Sequence, residues 1–103
     1  DPRQFLEKWV YQYLKYPEQA VIDGVQGRVM VDFIIGKDGK VSDVRVVKGV
    51  SPELDAEAVK VVSASPKWKP GRVDGNKVRT SITIPVEFRL EKKGGKSRIG
   101  FRK

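Results

Sequence analysis

The sequence contains no cysteine and no histidine. Their absence excludes disulfides, cysteine nucleophiles, zinc sites built from thiolates or imidazoles, and any imidazole acid–base catalyst. No run of 18 apolar residues occurs, so no membrane-spanning helix is written here, and nothing resembles a signal peptide. No serine has a lysine three residues on, which removes the Ser-x-x-Lys nucleophile. Asp38-Gly39-Lys40 lacks the further carboxylates of a calcium loop. Lys93-Gly94-Gly95-Lys96-Ser97 has Leu90 where a phosphate loop needs its first glycine. The remaining carboxylates, lysines and hydroxyls do not cluster. The expectation is a protein with no catalytic residues, no cofactor and no metal.

What is present fits one domain. The chain has 103 residues, 39% of them apolar and 33% charged, enough to close a small core. Its net charge of +8 suggests nucleic acid or an anionic surface, but the charge is unevenly placed. In the tail over residues 91–103, Lys92, Lys93, Lys96, Arg98, Arg102 and Lys103 stand against Glu91 alone, a net +5 that leaves +3 for the body. The body is residues 1–90, and the tail reads as a basic, loose end. Such a tail either contacts an anionic surface or is simply solvated. The opening Asp1-Pro2-Arg3 reads as a domain cut from a longer chain.

Phe5, Leu6, Trp9, Val10, Tyr13 and Leu14 recur at helical spacing and predict one apolar stripe, ended by Tyr16-Pro17. A second short helical piece follows Pro17 and closes at Gly24 or Gly27. From Arg28 the period becomes two: Val29, Val31, Phe33 and Ile35 share one strand face, with Met30 and Ile34 on the other. Asp38-Gly39 predicts a tight hairpin into a strand over residues 40–48, with Val44 and Val46 inward. Ser51-Pro52 opens a helix whose Leu54, Ala58, Val61 and Val62 lie on one face. Ser65-Pro66 ends it, the Pro-rich stretch 66–71 points Trp68 over the core, and Asp74-Gly75 is a turn. Last, Val78, Thr80, Ile82, Ile84, Val86, Phe88 and Leu90 alternate with polar residues, the pattern of a long half-buried strand. The order is α-β-β-α-β, an α+β fold with two helices packed on one face of a three-stranded antiparallel sheet.

Proline cannot donate to a ladder, so the strand holding Pro85 belongs at an edge, with the doubly apolar strand near Arg28 in the centre. In an antiparallel strand both backbone groups of a residue point toward one neighbour, and sides alternate. Pro85 is tolerated only if its side faces away. Arg79, Ser81, Thr83, Pro85, Glu87 and Arg89 then present their backbone outward. Two readings of this edge follow. Its proline and charges guard against aggregation, or the edge docks an extended peptide.

Several motifs, in order and spacing, resemble the TonB carboxy-terminal domain family. They are Tyr16-Pro17, Ala20, Gly24-Val25-Gln26-Gly27-Arg28-Val29, Asp38-Gly39-Lys40-Val41, Leu54-Asp55-Ala56-Glu57-Ala58, Trp68-Lys69-Pro70-Gly71 and Ile84-Pro85-Val86-Glu87-Phe88-Arg89. The resemblance covers the chain from about Phe5 to Leu90. It implies the periplasmic domain of an inner-membrane-anchored energy transducer, driven by the ExbB–ExbD motor through a region absent here. Its implied partners are TonB-dependent outer-membrane transporters, whose TonB box pairs with the edge of the last strand. By position, residues 79–90 form the docking strand, and Tyr13, Tyr16 and Pro17 flank the bound segment. Pro85 stands where the family has a backbone donor. An open edge also permits a homodimer, strand against strand. A TolA-like envelope interaction domain shares this architecture. A nucleic-acid module shares the element order, but the near-neutral body and the lack of a Gly-x-x-Gly clamp between helices argue against nucleic acid.

Overall fold

The computed structural model describes residues 2–93 and 96–99, with side chains through Leu90. A helical segment over residues 2–13 comprises α1 (Pro2–Phe5), a π-helical stretch (Leu6–Val10) and α2 (Tyr11–Tyr13). Next come α3 (Glu18–Asp23), β1 (Gly27–Ile35), β2 (Val41–Lys48), α4 (Pro52–Ser63), β3 (Gly71–Val73), β4 (Asn76–Val78), β5 (Thr80–Phe88), β6 (Leu90–Lys93) and β7 (Lys96–Ile99).

The main sheet is antiparallel in the order β2–β1–β5. β1 takes the centre, as its apolar alternation on both faces requires. Val29, Val31, Phe33 and Ile35 from β1 and Ile84, Val86 and Phe88 from β5 are buried against the helices. Val10, Leu14 and Ala20 close the core from the amino-terminal side, and Leu54, Ala58, Val61 and Val62 close it from α4. No polar or charged residue is buried among those described. α4 starts where the sequence marks it: the Ser51 hydroxyl accepts the Leu54 N–H at 3.3 Å, Pro52 needs no partner in the first turn, and Glu53 and Asp55 face the helix amino terminus.

Trp68 sits where the connector was expected to aim it. Its ring lies 4.6 Å from Phe5 and 5.5 Å from Phe33, centroid to centroid. Its indole N–H is buried without a partner.

The structure refines several local expectations. Asp38-Gly39 does close a hairpin between β1 and β2, but not as a two-residue turn. Of the pair only Gly39 has positive φ, so the loop takes three residues, closed by Gly39 N–H to Gly36 O and Gly36 N–H to Lys40 O, both 2.9 Å. The two-residue turn with positive φ at both positions is Asp74-Gly75, at 51° and 81°, and it joins β3 to β4. That hairpin captures Val78, so the final strand does not run over 78–90; it begins after a break at Arg79 and ends before Arg89. Lastly, residues 90–93 pair with residues 96–99 as a ribbon rather than trailing irregularly. Gly94, Gly95 and residues 100–103 of the expected tail lie outside the described residues.

Candidate functional site

The sheet has two edges, and they are unlike. β2 meets β1 with two register shifts, one of them around Asp43, which adopts φ 51°. Such bulges twist an edge out of plane and spoil it as a template. β5 meets β1 through nine consecutive pairs, from Gly27 opposite Phe88 to Ile35 opposite Thr80, with no shift. Among the described residues no strand lies beyond it. The flat edge is the one that holds the proline.

Two hydrogen bonds, one in β5 and one just past its end, agree on which backbone groups face outward. The Glu87 N–H leaves the ladder and donates to the Tyr11 phenol oxygen at 3.1 Å. The Leu90 N–H, in the opposite phase, donates to Gln26 Oε1 on the β1 side at 3.0 Å. Odd residues therefore point their N–H and C=O outward, and even residues point theirs to β1. Pro85, opposite Met30, lies in the odd set, where its missing N–H costs the sheet nothing. Ser81 and Thr83 share that outward phase and are exposed.

Side chains of the odd residues stand on the helix-free face. The Thr83 hydroxyl donates to the Asp32 carboxylate opposite, which also receives Arg45 at 3.5 Å. Arg28 pairs with Glu87 at 3.2 Å. These contacts anchor the strand from behind without covering its rim, and the two ion pairs, each made by a well-exposed arginine, add at most about 1 kcal/mol apiece.

Of the expected site residues, Ser81, Thr83, Pro85 and Glu87 come together along one rim. Arg79 and Arg89 do not belong to the strand: each occupies a break at one end of it, Arg79 lying 3.9 Å from Asp43. Tyr16 packs edge-on against Phe88, centroids 5.4 Å apart, and its hydroxyl donates to the Val25 carbonyl at 2.5 Å. Burial raises its pKa. Pro17 is half-buried and precedes the first turn of α3. Tyr13 departs from the expected stripe. It is 55% exposed and lies against Trp9, in a groove lined also by Glu57 and Val61, on the flank facing α4 rather than β5.

The residue missed is Tyr11. A π turn holds more residues than an α turn, so the side chains that follow are rotated relative to the α-helical phase. That rotation swings Tyr13 out and brings Tyr11 against the rim of β5, beside a groove of about 230 Å³ lined by Arg3, Leu6, Glu7, Arg28, Pro85 and Glu87. Burial, foremost, and the Glu87 charge push the Tyr11 pKa up, against the lowering effects of the Glu87 N–H and Arg28. An aromatic residue standing outside the apolar stripe was the only sequence signal for it.

The family described as Gram-negative bacterial TonB protein C-terminal matches residues 12–90. Protein TonB of Pseudomonas aeruginosa is 34% identical over 79 residues, covering 76% of this chain and 23% of its own length. Protein TonB of Helicobacter pylori is 42% identical over 78 residues, covering 75% and 26%. The chain thus spans about a quarter of the curated relatives it matches. A solution structure of the Helicobacter pylori TonB C-terminal domain superposes with a TM-score of 0.68 at 25% identity, covering 89% of this chain and 83% of that one. The Pseudomonas aeruginosa TonB C-terminal domain gives 0.59 at 30% identity, covering 77% and 80%.

Proposed function

The chain belongs to the Gram-negative bacterial TonB protein C-terminal family, and from that membership we propose that it is the partner-binding domain of a TonB-type energy transducer. In this reading it acts in the periplasm and catalyses no reaction. It takes up a short extended segment, the TonB box of an outer-membrane TonB-dependent transporter, as a fourth strand beside β5. The anchor in the inner membrane and the contact with the ExbB–ExbD motor belong to the rest of a longer protein, as the greater length of the relatives suggests.

One observation carries the reading: β5 is an edge strand in unbroken register whose residues 81 and 83 aim backbone donors and acceptors at solvent. Added strands recognise such an edge through the main chain, and side chains adjust specificity. The binding this predicts is weak. Each new backbone hydrogen bond yields about 0.5–1.5 kcal/mol net, while ordering each peptide residue costs about 1–2 kcal/mol. Pairing alone roughly breaks even, which suits a contact that must be made and released under load.

The test is an amide chemical-shift titration of the labelled domain with a synthetic TonB-box peptide. Shifts concentrated at Ser81 and Thr83 are expected. Shifts confined to α4 or β2 would overturn the reading.

A further inference from the structure

The outer flank of β5 is not uniform. On its amino-terminal side, Ser81 and Thr83 offer outward N–H groups, and the carbonyls of 81, 83 and 85 face the same way. Pro85 then interrupts the donors. Beyond it, the next outward N–H, that of Glu87, is already given to the Tyr11 phenol.

Resting on the strand-addition reading above, we propose that Tyr11 is a plug that closes the carboxy-terminal half of the docking edge and so sets the register of the incoming strand. A partner segment pairs with residues 81–85. It can extend past Pro85 only by displacing the phenol from Glu87.

Three features support a plug rather than a chance contact. The phenol oxygen occupies the position an incoming carbonyl would take, since it accepts from the same outward N–H. The segment carrying it is pinned on both sides of the ring's attachment: Trp9 Nε1 donates to the Val61 carbonyl at 2.9 Å, and Val10 and Leu14 are buried. Opening therefore falls to rotation of the Tyr11 side chain, not to detachment of the helix. Finally, the π-helical stretch directly precedes Tyr11 and gives it this direction. Such stretches interrupt an otherwise regular helix and are frequent at functional sites.

The expected partner is a strand with a short paired section and backbone acceptors for two donors only. A longer strand competes with Tyr11 for the third.

The test uses Tyr11→Phe, which removes one hydroxyl and keeps the ring. In the free domain, amide hydrogen exchange at Glu87 should quicken in the variant while that at Val86 stays slow. In titrations with the TonB-box peptide, Ser81 and Thr83 should shift in both proteins. Glu87 should join them only in Tyr11→Phe, with affinity raised about 2- to 10-fold for one regained hydrogen bond. Unchanged exchange at Glu87, or a Glu87 shift in the parent as large as that of Thr83, overturns the plug and leaves edge docking standing. If none of the three amides moves in either protein, edge docking itself fails and the plug with it.

Discussion

The Trp68 backbone N–H donates to the Gly39 carbonyl at 2.8 Å, locking the β1–β2 loop onto the connector that leads to β3. The two backbones meet so closely that a Cβ on Gly39 would collide with the Trp68 carbonyl oxygen, and Gly39 also needs φ 85°. Gly39→Ala should therefore cost at least about 2 kcal/mol, strain and clash together. Gly75 has nearly the same φ, 81°, with open space where its Cβ would go. Gly75→Ala should cost only about 1 kcal/mol, the conformational part alone. Urea unfolding of the two variants measures the difference; equal losses would mean that the packing against Trp68 contributes nothing.

The two tryptophans invite the same substitution with different consequences. Trp9 donates its indole N–H to Val61, whereas Trp68 buries its indole N–H with no partner. Trp9→Phe abandons a carbonyl as well as losing a hydrogen bond. Trp68→Phe removes a donor that was already unsatisfied, while keeping an aromatic ring near Phe5 and Phe33. Trp9→Phe should be the more destabilising by about 1–2 kcal/mol. Chemical denaturation in parallel decides it, and a larger loss at Trp68 would contradict the account.

Much of this architecture was readable in the chain. The alternation of residues 80–88 and the single fact that Pro85 lacks an N–H place β5 at an edge and orient its backbone, because both follow from strand geometry that side chains cannot override. Ser51-Pro52 and the spacing of Leu54, Ala58, Val61 and Val62 likewise give α4 its start and buried face. What escaped depends on departures from ideal geometry. A helical stripe drawn with 3.6 residues per turn places Tyr13 inward; a π-helical stretch places Tyr11 against the rim instead. A strand pattern reaching back to Val78 does not reveal that Asp74-Gly75 folds this residue into a local hairpin. Nor does alternation disclose the left-handed backbone of Asp43, which bulges β2 and makes β5 the better edge. The rim residues Ser81, Thr83, Pro85 and Glu87 were legible because they share one parity. Tyr11, which reaches them from elsewhere in the chain, was not.

Alkaline pH should loosen the domain through its half-buried phenols. Tyr11 and Tyr16 both have pKa values raised above the ordinary tyrosine value, chiefly by burial, so the folded state holds the neutral form more tightly than the unfolded chain does. Below about pH 10 both states are protonated and nothing changes. As pH climbs past that point the unfolded chain loses its protons first, so stability falls. The decline in urea midpoint above pH 10 should be shallower in Tyr11→Phe and Tyr16→Phe than in the parent. Comparing variants with the parent removes the contribution of lysines, which titrate in the same range. A decline of equal steepness in all three proteins would show that these rings are not the cause.

Proline scanning separates the two flanks of β5. Thr83→Pro removes an outward donor and the hydroxyl bond to Asp32, but no ladder bond, so it should lower stability by about 1 kcal/mol. Ile84→Pro, one residue along, deletes the donor aimed at β1 opposite Val31 and should cost about 3 kcal/mol or more. Peptide binding should respond differently. The parent is expected to bind a TonB-box peptide with a dissociation constant on the order of micromolar or weaker, because few hydrogen bonds carry it. Thr83→Pro should weaken that at least about tenfold, since the ring both removes a donor and projects into the space of the incoming strand. Calorimetry on the folded variant measures this. If Thr83→Pro unfolded the domain while Ile84→Pro left it intact, the parity assigned to β5 would be reversed; if Thr83→Pro bound as well as the parent, the partner would have to sit elsewhere.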